Sequence, residues 1–293
     1  MKSMIGEPRV VEAGRGAAWW GTGWRLFTSN FWTWIGIMII YIIITVLISQ
    51  VPYVGDVGHW LLTPVFMGGL MLGCAAIERN EPLRVAHLFE GFQGVHFVPL
   101  MIIGAVNIAL ALGIGALAVA GVMGGMKLAD VARMGAIGDP FEAFLGSARA
   151  MTGTGLLTML LILVIAAVFA MLNWFAPALV ALRGATAFEA MKLSFMSSLR
   201  NWAPFLVYGA IGIAIVVAAF LLFGGLALLL GAGALLGSSN NGWGAVIGLV
   251  VLFVVLAMIA ALLVWPVVFG TTYAGYKDTL GVADDEIGNP AYQ

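Results

Sequence analysis

Three histidines and one cysteine are the side chains in this sequence best suited to metal ligation or nucleophilic chemistry, and their spacing argues against both. His59, His87 and His96 are dispersed, without the close recurrence that a metal cluster needs. Cys74 is alone, so it offers neither an intrachain disulfide nor a ligand set, and it reads as a small buried apolar residue. Glu81, Arg84 and His87 stand close together and could present an acid, a cation and an imidazole at a lipid surface. HExxH, GxSxG and a glycine–lysine phosphate loop are absent. The expectation is therefore no catalytic, metal-binding or cofactor-binding residue, and no cofactor.

The surroundings of these residues explain why so few can react. The chain of 293 residues is 62% apolar and 9% charged, with a mean hydropathy of +1.06, against roughly a quarter charged in soluble domains. Asp, Glu, Lys and Arg are missing from residues 26–55, 57–77, 91–126, 150–182 and 201–276. A helix crosses the hydrocarbon layer with about 20 apolar residues. Each of the first four stretches fits one crossing; the fifth fits two, turning at "GSSNNGW" (237–243). The strand-period alternation of a membrane barrel is absent.

The fold class expected is all-α integral membrane, residues 1–293 forming a single polytopic domain. Its spans fall at about 31–50, 57–77, 97–125, 154–182, 202–235 and 244–276, arranged as three hairpins, with tails at 1–30 (including a first short helix) and 278–293. "MKSMIGEPRVVEAGRG" has acids, glycines and a proline where a signal peptide would be apolar, so the first span reads as an uncleaved anchor. The third and fifth spans are long and must tilt, break at glycines or leave the bilayer.

Charge gives the orientation. Lys2, Arg9, Arg15, Arg25, Arg79, Arg84, Arg183, Lys192, Arg200 and Lys277 share the side of the two ends; Lys127, Arg133 and Arg149 lie opposite. That bias places both termini in the cytoplasm. Trp32, Trp34, Trp174, Trp202 and Trp265 near the inner ends, with Trp60 and Trp243 near the outer ones, read as interfacial anchors. A net charge of −1 leaves no basic field for nucleic acid.

Before each odd-numbered span lies a stretch with helical apolar spacing. The stripes are Trp20, Trp24, Phe27 and Phe31; Val85, Leu88, Phe89 and Phe92; and Phe188, Met191, Phe195 and Leu199. Each predicts an amphipathic elbow helix in the cytoplasmic interface, and three elbows with three hairpins predict an internal repeat. In the outer loop, "DPFEAFLGSARAM" (139–151) predicts a helix capped by Asp139.

Inside the spans the ionisable residues that mark ion paths or proton relays are missing. Asn107 and Asn173 are the strongest polar groups there and are expected to hydrogen-bond neighbouring helices. Pro64, Pro177 and Pro266 are candidate kinks that free backbone carbonyls. "GLMLG" (69–73) has the spacing of close helix contact.

"PALVALRGATAFEAMKLSFMSSLRNWAPFLVYG" (177–209) and "GWRLFTSNFWTWIG" (23–36) carry a resemblance. They are similar to six-helix bacterial inner-membrane proteins of the YciC-like families and to the membrane domain of some glycerophosphodiester phosphodiesterases. The resemblance implies a bacterial inner-membrane setting and brings no catalytic residue. Nor is the phosphodiesterase activity implied, since its soluble domain has no counterpart in the sequence.

The functional expectation is a non-catalytic inner-membrane scaffold, assembly factor or accessory subunit. Its partners would be the lipid bilayer and another membrane complex or further copies of itself. A carrier or channel for an apolar, lipid-like solute is the alternative, and an enzyme at the lipid interface a third.

Overall fold

The computed structural model describes residues 7–52, 54–125, 153–237 and 242–281. These are helical nearly throughout, and no strand occurs among the described residues. The elements are α1 (Arg15–Ser29), α2 (Phe31–Ser49), α3 (Val54–Glu78) and the single turn α4 (His87–Glu90). They continue with α5 (Phe97–Gly125), α6 (Gly153–Asn173), α7 (Ala176–Arg183), α8 (Ala187–Arg200), α9 (Trp202–Gly237) and α10 (Gly242–Leu280). Six segments are long and apolar enough to cross a membrane: Phe31–Ser49, Val57–Glu78, Gly94–Leu117, Leu156–Arg183, Trp202–Leu222 and Val250–Leu280. Helices are what such runs must form in lipid, because only a helix satisfies every backbone group within one segment. The helix expected at 139–151 lies outside the described residues.

α3 is the central span, packing on α2, α5, α4 and α7. α5 packs on α6, and α9 on α10. α1 lies across α10 and α9, which brings the described start of the chain to its described finish. This end is closed by short helices. Away from it, α6, α9 and α10 meet their neighbours along narrow strips, with apolar residues such as Leu157, Val216 and Phe253 exposed around the rest. The long spans do not break at glycines: α5 runs 29 residues and α9 36, about 44 and 54 Å at 1.5 Å per residue.

One asparagine makes each of two sharp entries into a span. Asn30 (φ −135°, ψ 39°) separates α1 from α2, and Asn201 (φ −107°, ψ 33°) separates α8 from α9. At the first, Thr28 and Ser29 turn their hydroxyls back onto the carbonyls of Trp24, Arg25 and Leu26, which competes with continuing the helix. α3 stops at Asn80, in the left-handed region at φ 61°, where Glu81 N–H reaches Ala76 O and Asn80 N–H reaches Ile77 O, a Schellman stop.

The buried faces of the short helices differ from the apolar stripes of the sequence. In α1 the buried residues are Gly16, Trp19, Gly23, Leu26 and Phe27, while Trp24 is exposed. In α8 they are Ala187, Ala190, Met191, Ser194, Ser197 and Ser198, while Phe188 and Leu199 face outward. In the middle stretch only one turn and a 3-10 turn (Gly94–His96) form; Leu88 is buried and Val85 and Phe89 are exposed. The reason is close approach. A Cβ on Gly23 would stand 2.5 Å from Val267 O, and one on Gly270 would stand 2.8 Å from Gly23 Cα. Small residues therefore mark the points where backbones meet, while Trp24, Phe188 and Leu199 turn away. The glycines of "GLMLG" are likewise used within the chain: Gly69 faces the His87 and Leu88 carbonyls, and Gly73 packs on Leu83 and His87.

The fourth span is two helices, α6 and α7, rather than one. Pro177 sits in the first turn of α7, where a missing N–H costs least, whereas Pro64 and Pro266 lie inside α3 and α10.

Candidate functional site

The break between α6 and α7 is held open by a side chain from α8. The Ser194 hydroxyl accepts from Phe175 N–H at 2.9 Å and donates to Met171 O at 2.7 Å. In an unbroken helix those two groups would bond each other, since they stand four residues apart. Ser194, itself fully buried, is thus inserted into the ladder, a recognised cause of sharp helix bends.

Four further polar joints close the same end. Asn201 accepts from Val11 N–H at 2.9 Å and donates from Nδ2 to Arg9 O and Ser197 O, both at 2.9 Å. Arg9 N–H reaches Thr279 O at 2.8 Å, and the Arg9 guanidinium contacts Gly281 O. Arg15 grips Asp278 with two nitrogens, at 2.7 and 2.6 Å, and Trp19 Nε1 donates to the same carboxylate at 2.7 Å. Glu78, at the end of α3, accepts from Tyr273 OH at 2.6 Å and Lys277 Nζ at 2.7 Å on α10. Charge-assisted bonds of this kind are shorter and stronger than neutral ones. Within the bundle, Tyr208 OH and Thr271 Oγ1 lie 3.0 Å apart, joining α9 to α10.

Rings fill the space between these joints. Trp20 stacks on Tyr208 with centroids 5.0 Å apart, and Trp19 and Trp174 meet Phe205 edge-on at 5.4 and 5.6 Å. Edge-on and offset pairs are the favourable aromatic geometries. Beside them opens an apolar groove of about 320 Å³, lined by Ala167, Ala170, Met171 and Trp174 of the α6 end, Ser198 of α8, and Trp202, Phe205 and Leu206 of α9.

Of the residues singled out from the sequence, His87 keeps its bonds within the α4 segment, while His96 turns to α7. His87 Nδ1 accepts from Arg84 N–H at 2.9 Å, and its Nε2 lies 3.7 Å from Glu90. His96 Nδ1 is 3.1 Å from Val180 O, at the other side of the α4 segment. Glu81 pairs with Arg79 rather than His87. Among the described residues no three of His, Cys, Asp and Glu gather as a metal would require. Cys74 is fully buried. Asn173 donates to Phe169 O of its own helix at 2.9 Å, and the Oδ1 atoms of Asn173 and Asn107 are buried without a hydrogen bond. Of the tryptophans, Trp32, Trp60, Trp202 and Trp265 are exposed and Trp174 is half-buried. Trp34 is fully buried, with Nε1 donating to Leu26 O at 3.1 Å, so it pins α1 to α2 instead of anchoring in lipid. Trp243 lies in the first turn of α10.

Ser194 and Asn201 carry most of this architecture and were missed as sites in the sequence. Asn201 sits in the quoted "SLRNW", where only its repetition with Asn30 in "TSNFW" gave a signal. Ser194 had none.

Six apolar crossings joined at one end by short helices define a polytopic α-helical membrane protein. A probable inner membrane protein of Burkholderia thailandensis is 25% identical to it over 284 residues, 94% of each chain. The chain is a multi-pass inner-membrane protein. No family model matches it, and no solved structure does.

Proposed function

We propose that the protein is a non-catalytic scaffold or accessory subunit of an inner-membrane complex, with its closed end in the cytoplasm. In this reading α1, the α4 segment and α8 lie in the cytoplasmic interface as elbows. They feed the hairpins α2–α3, α5–α6 and α9–α10, in the manner of the YciC-like proteins the sequence resembles. The carrying observation is how the polar groups of the closed end are used. Ser194, Glu78, Asp278 and Arg15 each join helices and Asn201 ties the segment before α1 to the α8–α9 turn, and none of them lines the groove. A carrier for a lipid-like solute would instead need a passage between the leaflets, and the groove stays at one end. Meanwhile α6, α9 and α10 keep broad apolar faces available to other helices.

Photo-crosslinking amino acids at Leu157, Val217 and Phe253, all exposed, and at buried Ile37 as control test this in cells. The expected result is the same membrane-protein adduct from at least two exposed positions and none from Ile37. Lipid adducts alone from every exposed position would overturn it.

A further inference from the structure

We infer that the groove between α6 and α9 is a binding site for one acyl chain of a glycerophospholipid, with the Ser198 hydroxyl turning about χ1 to donate to the chain's ester carbonyl. This does not depend on the scaffold reading.

The groove is walled by alanine, methionine, leucine and aromatic carbon, a lining that suits hydrocarbon. Its volume of about 320 Å³ is at the small end of ligand pockets, so it takes a segment of one chain while the remainder stays in the bilayer. One polar group in the wall lacks a partner. Ser198 is 3% exposed, lines the groove, and its Oγ forms no hydrogen bond. A buried hydroxyl without an acceptor is costly. Neighbouring Ser194 shows the contrast, with both its donor and its acceptor capacity used.

Depth selects the acceptor. Trp174 and Trp202 form the sides of the groove, and Trp202 is 61% exposed. Tryptophan occupies the boundary between headgroup and hydrocarbon, which is where the ester carbonyls of a glycerophospholipid lie. The wall itself contributes no Lys or Arg, so a free carboxylate would find no counter-charge there. A neutral ester carbonyl needs none.

The test uses the full chain in phosphatidylethanolamine–phosphatidylglycerol nanodiscs containing a phosphatidylethanolamine with a mid-chain diazirine. After irradiation, adducts are expected on Ala167–Trp174 and Trp202–Leu206 at several times the density on equally exposed Val250–Val255 of α10. Ala170→Trp fills the groove and should remove the first set while sparing the second; Ala167→Trp does the same from an adjacent exposed position. Ester-linked phospholipid should compete with the probe better than its ether-linked analogue, roughly three- to tenfold for one hydrogen bond. Ser198→Ala should bring that ratio to one. Even labelling over all exposed apolar faces overturns the site. Oleate competing as well as phospholipid overturns the ligand, and an unchanged ratio in Ser198→Ala overturns the role of the hydroxyl. Reaction of buried Cys74 with a thiol dye on heating reports whether each variant is folded.

Discussion

Replacing Ser194 by alanine removes one oxygen and strands two backbone groups. Phe175 N–H and Met171 O, now bridged by the hydroxyl, lose their partner in a place where water is scarce. Each stranded group costs roughly 1–3 kcal/mol, so a rigid structure would lose about 2–6 kcal/mol. The chain has one escape: α7 could swing into line with α6 so that the two groups bond directly. Doing so would withdraw Phe175, fully buried against Phe205 at 5.8 Å, from the ring cluster, and the loss of that packing is itself about 1–3 kcal/mol. The variant is therefore destabilised along either route.

Ser197→Ala is the matched comparison. Ser197 is on the same helix and equally buried, but its Oγ has no partner. Deleting that hydroxyl should leave stability unchanged or raise it slightly. Thermal unfolding in mild detergent, read by thiol-dye labelling of the single buried Cys74, compares the two directly. At roughly 2–4 °C per kcal/mol for a chain of this size, Ser194→Ala should melt at least about 2 °C below Ser197→Ala. Equal melting temperatures would refute the assignment of Ser194 as the keeper of the break.

Two other perturbations probe the closed end. Asn201→Ala cuts the bonds to Val11, Arg9 and Ser197, so amide exchange at Val11 should quicken at least tenfold while α3 amides stay protected; unchanged protection at Val11 would show that the Arg9–Thr279 pair holds the segment by itself. Gly23→Val forces a side chain against Val267 O and should prevent α1 from docking on α10, seen as loss of folded protein by size-exclusion chromatography, whereas Gly21→Ala, with open space around it, should behave as wild type.

The spans were legible because lipid imposes a one-dimensional rule: a charge-free run of sufficient length has to be a helix. α5 runs over the residues expected, and α2 ends within one residue of them. The faces of the short helices were not legible in the same way. In a soluble protein a bulky apolar stripe points to the core, but at a membrane it points equally well to lipid, and Trp24, Phe188 and Leu199 are exposed. The sides that pack are marked by glycine, alanine and serine, whose low hydrophobicity hides them from a periodicity argument. Trp34 misled for a related reason: its residue type fits an interfacial belt, but Leu26 O was available to its indole only once α1 had folded back at Asn30. The division of the fourth span depends on a hydroxyl 19 residues beyond Phe175, and no local pattern announces it.

The pairing of α1 with α10 also fixes when the molecule can be finished. Arg15 and Asp278 are 263 positions apart, and at 5–20 residues per second a ribosome takes roughly 13 to 53 seconds to travel between them. For that interval the first helix has been made and its docking surface has not. A nascent chain stalled before α10 would leave Gly23 without Val267, and Arg15 and the Trp19 indole N–H without Asp278, a difference between incomplete and complete protein that quality-control proteases in the membrane could read.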